Sequence, residues 1–320
     1  MKKIKVAIIG AGRMGKFHLE TLKDMKNIEL VAILTTPNGL ENRKKLKNKY
    51  KIKNDYENID EMLSNSNIDT AFIQPNVQNV YPIAKKLLNN KINCLIEKPP
   101  ALDIKKVLEL ERLTKKNKLI SVVGFQRRFY SNIQIIKKYQ KQLGSLYSIS
   151  VEAPESFDVI KNKKKFIKPV LKKWFYSNGI HMIDLMLFFA NSKIKKIYKI
   201  TRKIKEKLCN NSFNAIIKFE KNLVAQYISN WKSPGGWSIK LYYTNGQVLI
   251  SPIEKTKIIF SKNKVIEIKN SKIDEKYKPG LFLQNKYFLE ACFRKKVLNV
   301  NAGTLTDAYK AMKLINLFEK

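Results

Sequence analysis

The stretch Ile4-Lys5-Val6-Ala7-Ile8-Ile9-Gly10-Ala11-Gly12-Arg13-Met14-Gly15 decides how this chain folds. Residues 4 to 9 form a short apolar run rich in β-branched side chains, which reads as a buried strand. Glycines follow at positions 10, 12 and 15, and a helix-compatible stretch continues to about Lys26. In such a unit the first glycine permits a tight turn and the second lets backbone approach a pyrophosphate. The third lets the helix pack closely on the strand, with the phosphate at the helix N-terminus. A second buried strand, Ile28 to Leu34, closes the βαβ unit at Thr35-Thr36-Pro37-Asn38. This context turns a common glycine spacing into a cradle for a nicotinamide dinucleotide, made by Gly10, Gly12, Arg13, Met14 and Gly15.

Working outward, helical and strand patterns alternate. Helices are expected around Gly39 to Tyr50, Ile59 to Asn65, Tyr81 to Asn90 and Ile104 to Asn117, with strands at Asp69 to Ile73, Asn93 to Ile96 and Leu119 to Gly124. That rhythm predicts a parallel, doubly wound α/β domain over residues 1–124. Pro75 and Asn76, just past the strand ending at Ile73, are assigned to the cofactor as well. From Ser145 the pattern becomes one of longer strands: Ser145 to Ala153, Ile194 to Thr201, Asn214 to Phe219, Leu223 to Asn230, Trp237 to Tyr243, Val248 to Ser251, Lys257 to Phe260 and Val265 to Ile268. Turns at Glu220-Lys221-Asn222, Asn245-Gly246 and Lys262-Asn263 suit an antiparallel sheet. Residues 125–320 are therefore expected to be an α+β domain. Helices at Trp174 to Ala190, Leu281 to Phe293 and Thr304 to Phe318 should cover its sheet, the last also reaching back towards the first domain.

A chain of 320 residues with 44% apolar and 10% aromatic residues can bury two cores, so it is globular despite a net charge of +37. Nucleic-acid recognition favours arginine for bidentate contacts. Here arginine occurs only at positions 13, 43, 112, 127, 128, 202 and 294, while lysine is spread over almost every segment. The charge reads as a solvated surface rather than a nucleic-acid face. Cys94, Cys209 and Cys292 are far apart and show neither disulfide nor zinc spacing. No run approaches the ~20 apolar residues of a membrane span, and the apolar start is too short for a signal peptide. The expectation is a cytoplasmic protein with no metal, no membrane and no nucleic-acid partner.

The carboxylate that would bind the cofactor's ribose normally falls at the end of the second strand. Thr35 stands there, with Arg43, Lys44 and Lys45 a turn or two beyond, so both NAD and NADP remain open.

Just past the strand ending at Ile96 comes Glu97-Lys98-Pro99, at a strand end that faces the ligand crevice in an open α/β sheet. Further on stand Gly124-Phe125-Gln126-Arg127-Arg128-Phe129 and Gly179-Ile180-His181-Met182-Ile183-Asp184. With the glycine fingerprint, the order and spacing of these motifs across nearly the whole chain resemble the Gfo/Idh/MocA oxidoreductases. The resemblance implies hydride transfer between NAD or NADP and a carbon of a sugar, sugar derivative or nucleotide-linked sugar, with a place in surface-polysaccharide biosynthesis among the possible roles. It implies that Lys98 is the catalytic lysine, Glu97 lies near the cofactor ribose, and Pro99 follows a cis bond. It makes His181 the acid/base, an imidazole being able to exchange the alcohol proton near neutrality. Asp184, one turn later, would orient the ring or bind a substrate hydroxyl. Gln126 would approach the nicotinamide and Arg128 the substrate, with packing as the alternative for both. Many sugar dehydrogenases of the family carry Asp four residues before the histidine, where this chain has Ser177. That departure keeps a second reading open, a non-catalytic dinucleotide-binding regulator or assembly protein. His18 is expected to pack rather than react. A homodimer or homotetramer joined through the open face of the second sheet is implied too. The basic run Lys161 to Lys173 reads as an exposed loop or, alternatively, as a contact for a substrate diphosphate.

Overall fold

The computed structural model describes residues 3–163, 166–260, 264–269, 271–296 and 301–320. The expected Lys262-Asn263 turn and part of the 161–173 basic run lie outside the described residues. The chain forms two compact units, one built from the chain up to Phe129 with Ile273–Lys310, the other from Tyr130–Lys272 with Ala311–Lys320.

In the first unit, strands β1 (Ile4–Ile9), β2 (Ile28–Leu34), β3 (Asn54–Tyr56), β4 (Thr70–Ile73), β5 (Asn93–Ile96) and β6 (Ser121–Val123) form one sheet in the order β3-β2-β1-β4-β5-β6. All neighbours run parallel, with Ile9 opposite Leu34 and Ile73, and Ile73 opposite Ile96. Their carboxyl ends therefore share one edge, and the strand order reverses between β1 and β4, where doubly wound sheets bind ligands. Helices α1 (Arg13–Leu22), α2 (Leu40–Tyr50), α3 (Ile59–Asn65), α4 (Val77–Asn89) and α5 (Ile104–Lys116) connect the strands. Val6, Ile8, Ile33, Phe72 and Leu95 are buried with Leu19 and Leu22 of α1. β3 escapes the sequence reading because its three residues, Asn-Asp-Tyr, carry no apolar pattern.

One expectation fails. The helix Leu281–Arg294 belongs to the first unit, where Phe288 meets Phe72 edge-on at 5.4 Å and Tyr287 lies 5.6 Å from Phe129. Periodicity marks an apolar stripe on a helix but does not say which surface will cover it. The helix Leu305–Glu319 contributes its residues up to Lys310 to the first unit and the remainder to the second. Its N-terminus is capped by Thr304, whose hydroxyl oxygen accepts from the Asp307 amide at 3.2 Å.

In the second unit, β7 (Leu146–Glu152), β8 (Ile194–Arg202), β9 (Ser212–Phe219), β10 (Val224–Asn230), β11 (Ser238–Tyr243), β12 (Gly246–Ile250), β13 (Thr256–Phe260) and β14 (Val265–Ile268) form a second sheet in the order β14-β13-β12-β11-β7-β10-β9-β8. Only the β7–β10 pairing is parallel, so the expected mainly antiparallel sheet is found. Alternation sets its two faces: Ile149, Val151, Ala225, Ile217 and Leu241 are buried, while Ile216 and Ile228 between them point outwards. The expected helix Trp174 to Ala190 is interrupted, since a π-helical turn, Phe175–Gly179, leads into the helix Ile180–Ala190.

Candidate functional site

The glycine cradle has the geometry its spacing predicts. Gly10 takes φ +108°, a left-handed conformation that favours glycine, and a Cβ there would meet the Gln74 carbonyl oxygen at 2.6 Å. A Cβ at Gly15 would overlap the Gly10 carbonyl, so α1 can approach β1 only without one. At Gly12 a Cβ would meet nothing within 4 Å, and no side chain caps the N-terminus of α1 there. The positive end of α1 thus opens onto space that an anion can fill. Arg13 is exposed on the first turn, its guanidinium 5.5 Å from the Phe17 ring, and Met14 beside it is half-buried. Gln74, at the end of β4, is buried and neither atom of its carboxamide has a hydrogen-bond partner among the described residues. An orphaned amide beside an open helix terminus fits a polar ligand. Pro75 is half-buried and Asn76, which precedes α4, is exposed.

Thr35 is buried at the end of β2, and the structure gives Arg43 a specific task there. The Arg43 guanidinium, also buried, donates to Asp55 at 3.1 Å, Glu57 at 2.7 Å, the Tyr56 carbonyl at 3.2 Å and the Thr35 hydroxyl at 3.3 Å. Lys47 bonds the other oxygen of Asp55 at 2.6 Å. Lys47 first, and Arg43 with it, hold the Asp55 carboxyl below its ordinary range against the opposing effect of burial. Asp55 and Glu57 carried no signal in the sequence, because the edge strand that presents them was not legible.

At the end of β5, Glu97 is buried, with Oε2 accepting the Lys98 amide at 3.3 Å and Oε1 lying 3.5 Å from His18 Nε2. Its carboxylate leaves no room opposite, since a Cβ at Gly124 would stand 3.1 Å from it. Lys98 is half-buried and the Lys98–Pro99 peptide is cis. Gln126 is buried. Arg128 is 3% exposed and donates to the Ala302 carbonyl at 3.2 Å and to Asp307 at 3.3 Å, so part of its bonding capacity is committed within the first unit.

In the second unit His181 and Asp184 lie one turn apart on the helix Ile180–Ala190, whose other residues up to Met186 are apolar and buried. Their exposures are 4% and 2%, and two ionisable groups on so apolar a helix need polar partners or a reaction to serve. The His181 ring is 6.4 Å from that of Trp237, whose indole donates to the Pro154 carbonyl at 2.9 Å. Ser177 lies within the π-helical turn, and its hydroxyl donates back to the Lys173 carbonyl at 3.1 Å. The wider turn also changes the register that an α-helical spacing of four residues would give. One carboxylate of this region was missed from sequence: Glu155 is buried and accepts from Asn178, next to Ser177, at 2.6 Å. It follows β7 in the chain, and only the tertiary fold brings it to the turn before His181.

No group of three or more His, Cys, Asp or Glu able to hold a metal occurs among the described residues, and no described helix is long and apolar enough to cross a membrane.

Residues 4–125 match the NAD-binding Rossmann-fold domain of the Gfo/Idh/MocA oxidoreductase family, and residues 139–249 match that family's C-terminal domain. The chain belongs to this family. Among curated relatives, it is 22% identical to myo-inositol 2-dehydrogenase of Thermotoga maritima over 61% of this chain and 57% of that protein. It is 24% identical to glucose-6-phosphate 3-dehydrogenase of Bacillus subtilis over 65% of this chain and 58% of that protein. The matched part thus spans under three-fifths of the length of these relatives. Similar solved structures include UDP-N-acetylglucosamine 3-dehydrogenase from Acidithiobacillus ferrooxidans, with TM-score 0.80 at 15% identity over 100% of this chain and 97% of that one. An oxidoreductase from Agrobacterium radiobacter in complex with NAD+, L-tartaric acid and magnesium aligns with TM-score 0.81 at 14% identity, covering 98% and 95% of the two chains. These likenesses show the family's fold in both units.

Proposed function

We propose that the chain is an NAD-dependent oxidoreductase moving hydride between the nicotinamide and a CH–OH carbon of a sugar, sugar derivative or nucleotide-linked sugar. The observation that carries this reading is the shared edge of the parallel sheet. It sets the Gly10–Gly15 cradle at the end of β1 and Glu97-Lys98 at the end of β5, with only β4 between them. Bound nicotinamide supplies the hydride acceptor or donor. In the oxidising direction Lys98 donates a hydrogen bond to the substrate oxygen, and His181 takes the hydroxyl proton as the C–H hydride leaves. Asp184 serves the imidazole or a substrate hydroxyl, and Ser177 and Arg128 are assigned to the substrate's surroundings. Gly12, Arg13, Met14, Pro75, Asn76, Glu97 and Gln126 hold the cofactor.

The preference for NAD over NADP rests on Arg43. A 2′-phosphate at Thr35 would need this cation, and Asp55 and Glu57 already neutralise it. The curated relatives act on polyols and a phosphosugar by name. The nucleotide-linked class is kept in the proposal because a protein of the same fold is by name a UDP-N-acetylglucosamine 3-dehydrogenase, and a role in surface-polysaccharide biosynthesis is proposed with it. We assign the exposed face of β8, β9 and β10 to a homodimer or homotetramer, and the unpaired thiols suit the cytoplasm.

The test is native mass spectrometry of the purified protein followed by a nicotinamide-absorbance assay on a panel of polyols, sugar phosphates and UDP-sugars. Co-purified NAD with turnover of one class is expected. Binding of NAD without turnover of any class would favour a non-catalytic regulator, and no dinucleotide binding would sink both readings.

A further inference from the structure

His18 is fully buried on α1 and has no part in the chemistry above, yet it stands in a chain of hydrogen bonds whose directions can be worked out. The Thr21 hydroxyl donates its only hydrogen to the His18 carbonyl at 2.7 Å. Its oxygen can then only accept from Asn285, whose carboxamide nitrogen lies 2.6 Å away. Asn285 is thereby oriented with its oxygen towards His18 Nδ1, at 3.0 Å, so Nδ1 must carry hydrogen. The other nitrogen, Nε2, faces Glu97 Oε1 at 3.5 Å. A neutral imidazole with hydrogen on Nδ1 would turn a bare lone pair on a carboxylate oxygen, which is repulsive in a buried site. One further proton between them would remove that repulsion.

Glu97 Oε2 is engaged by the Lys98 amide, and the Gly124 backbone closes the side opposite. The His18 ring packs edge-on against Phe72 at 5.4 Å. Among the groups that α1, β4, β5 and the helix Leu281–Arg294 present in these contacts, Glu97 is the titratable partner of His18.

We propose that His18 is a positioning residue that shares one proton with Glu97, its tautomer being fixed from behind by Thr21 and Asn285. Loss of that proton drives the Glu97 carboxylate from its place at the end of β5 and weakens the hold on the cofactor. This consequence rests on the dinucleotide reading above; the shared proton itself does not.

The chain has two histidines, so imidazole nitrogen-15 NMR of the full chain gives two ring systems, and His181→Asn identifies His18. The expected wild-type result is a hydrogen on Nδ1 throughout and a second on Nε2 that disappears on raising the pH. Over that step the NADH dissociation constant, followed by fluorescence, should rise at least threefold. Thr21→Val frees Asn285 to flip, so His18 takes the Nε2–H tautomer and donates to the carboxylate with no extra proton. Its NADH affinity should then stay flat over the same range, while turnover at neutral pH remains within about twofold, an effect a packing role for His18 would not produce. If Thr21→Val does not fold, Glu97→Gln replaces it, and His18 should then show hydrogen on Nδ1 alone. A wild-type His18 with bare Nδ1, or identical pH curves in wild type and Thr21→Val, would overturn the proposal. Absence of NADH binding by the wild type at every pH would remove the dinucleotide reading and the cofactor consequence with it, leaving the NMR result to decide the proton.

Discussion

The end of β1 lies so close to the end of β4 that a Cβ at Gly10 would stand 2.6 Å from the carbonyl oxygen of Gln74. Gly10 and Gly15 are thus required by the fold, whereas Gly12 faces open space. Gly15→Ala should lower the melting temperature by several degrees, because α1 or the Gly10 carbonyl must move. Gly12→Ala should leave the melting temperature nearly unchanged and weaken NADH binding at least tenfold by filling the cradle. Calorimetry and NADH titration of the two variants separate these effects. Equal loss of stability in both would contradict the assignment.

Lys98→Ala and His181→Asn should each reduce kcat by ~10²-fold or more, the scale of a lost proton-transfer group. NADH affinity should change little for His181→Asn. Steady-state kinetics beside direct cofactor titration make the comparison, and unchanged kcat in both variants would remove the mechanism.

The ion cluster at Thr35 makes a prediction about cofactor choice. Replacing Asp55 and Glu57 together by Asn and Gln should release Arg43 and improve NADPH binding relative to NADH by about tenfold. Arg43→Ala in the same background should abolish that gain. A double variant that leaves the NADPH to NADH ratio unaltered would show that the cluster is structural only.

On the second sheet Tyr198 and Ile216 are cross-strand neighbours, and Ile200 and Ile228 both flank Asn214 on the same outward face. Ile200 is 58% and Ile216 49% exposed, which is unusual for isoleucine on a surface that remains in water. Ile200→Lys with Ile216→Glu should shift the mass measured by light scattering to that of a single chain. A wild type already at the mass of a single chain, or an oligomer left unchanged by the two substitutions, would sink the proposed homodimer or homotetramer through this face.

Acid stability should depend on Glu20, whose pKa is lowered from 4.5 to about 2 by bonds from Lys23, Lys49 and Tyr50. A carboxylate depressed in the folded state contributes stability above its unfolded pKa and loses it as pH falls through the folded value. Glu20→Gln should therefore be less stable than wild type at pH 7, with the difference closing between about pH 4.5 and pH 2. The side chain is 34% exposed, so solvent screening keeps the effect small. Denaturant melts of both proteins at pH 7 and near pH 2 provide the measurement.

The sequence by itself determined the features that depend on neighbours in the chain. The apolar run into Gly10, Gly12 and Gly15, the alternation of strand and helix to Gly124, and the eight later strands are local patterns. Backbone sterics and the two periodicities of side-chain direction write them directly into residue order. What the tertiary structure decided is where distant segments meet. The helix Leu281–Arg294 joins the first unit, which brings Asn285 to His18. The short strand Asn54–Tyr56 attaches to the sheet edge, which brings Asp55 and Glu57 to Arg43. Glu155 reaches Asn178 beside a π-helical turn that no spacing foretold. Each contact joins polar groups whose surroundings are set by packing between remote elements, and packing partners, unlike periodicity, leave no mark on the residues in between.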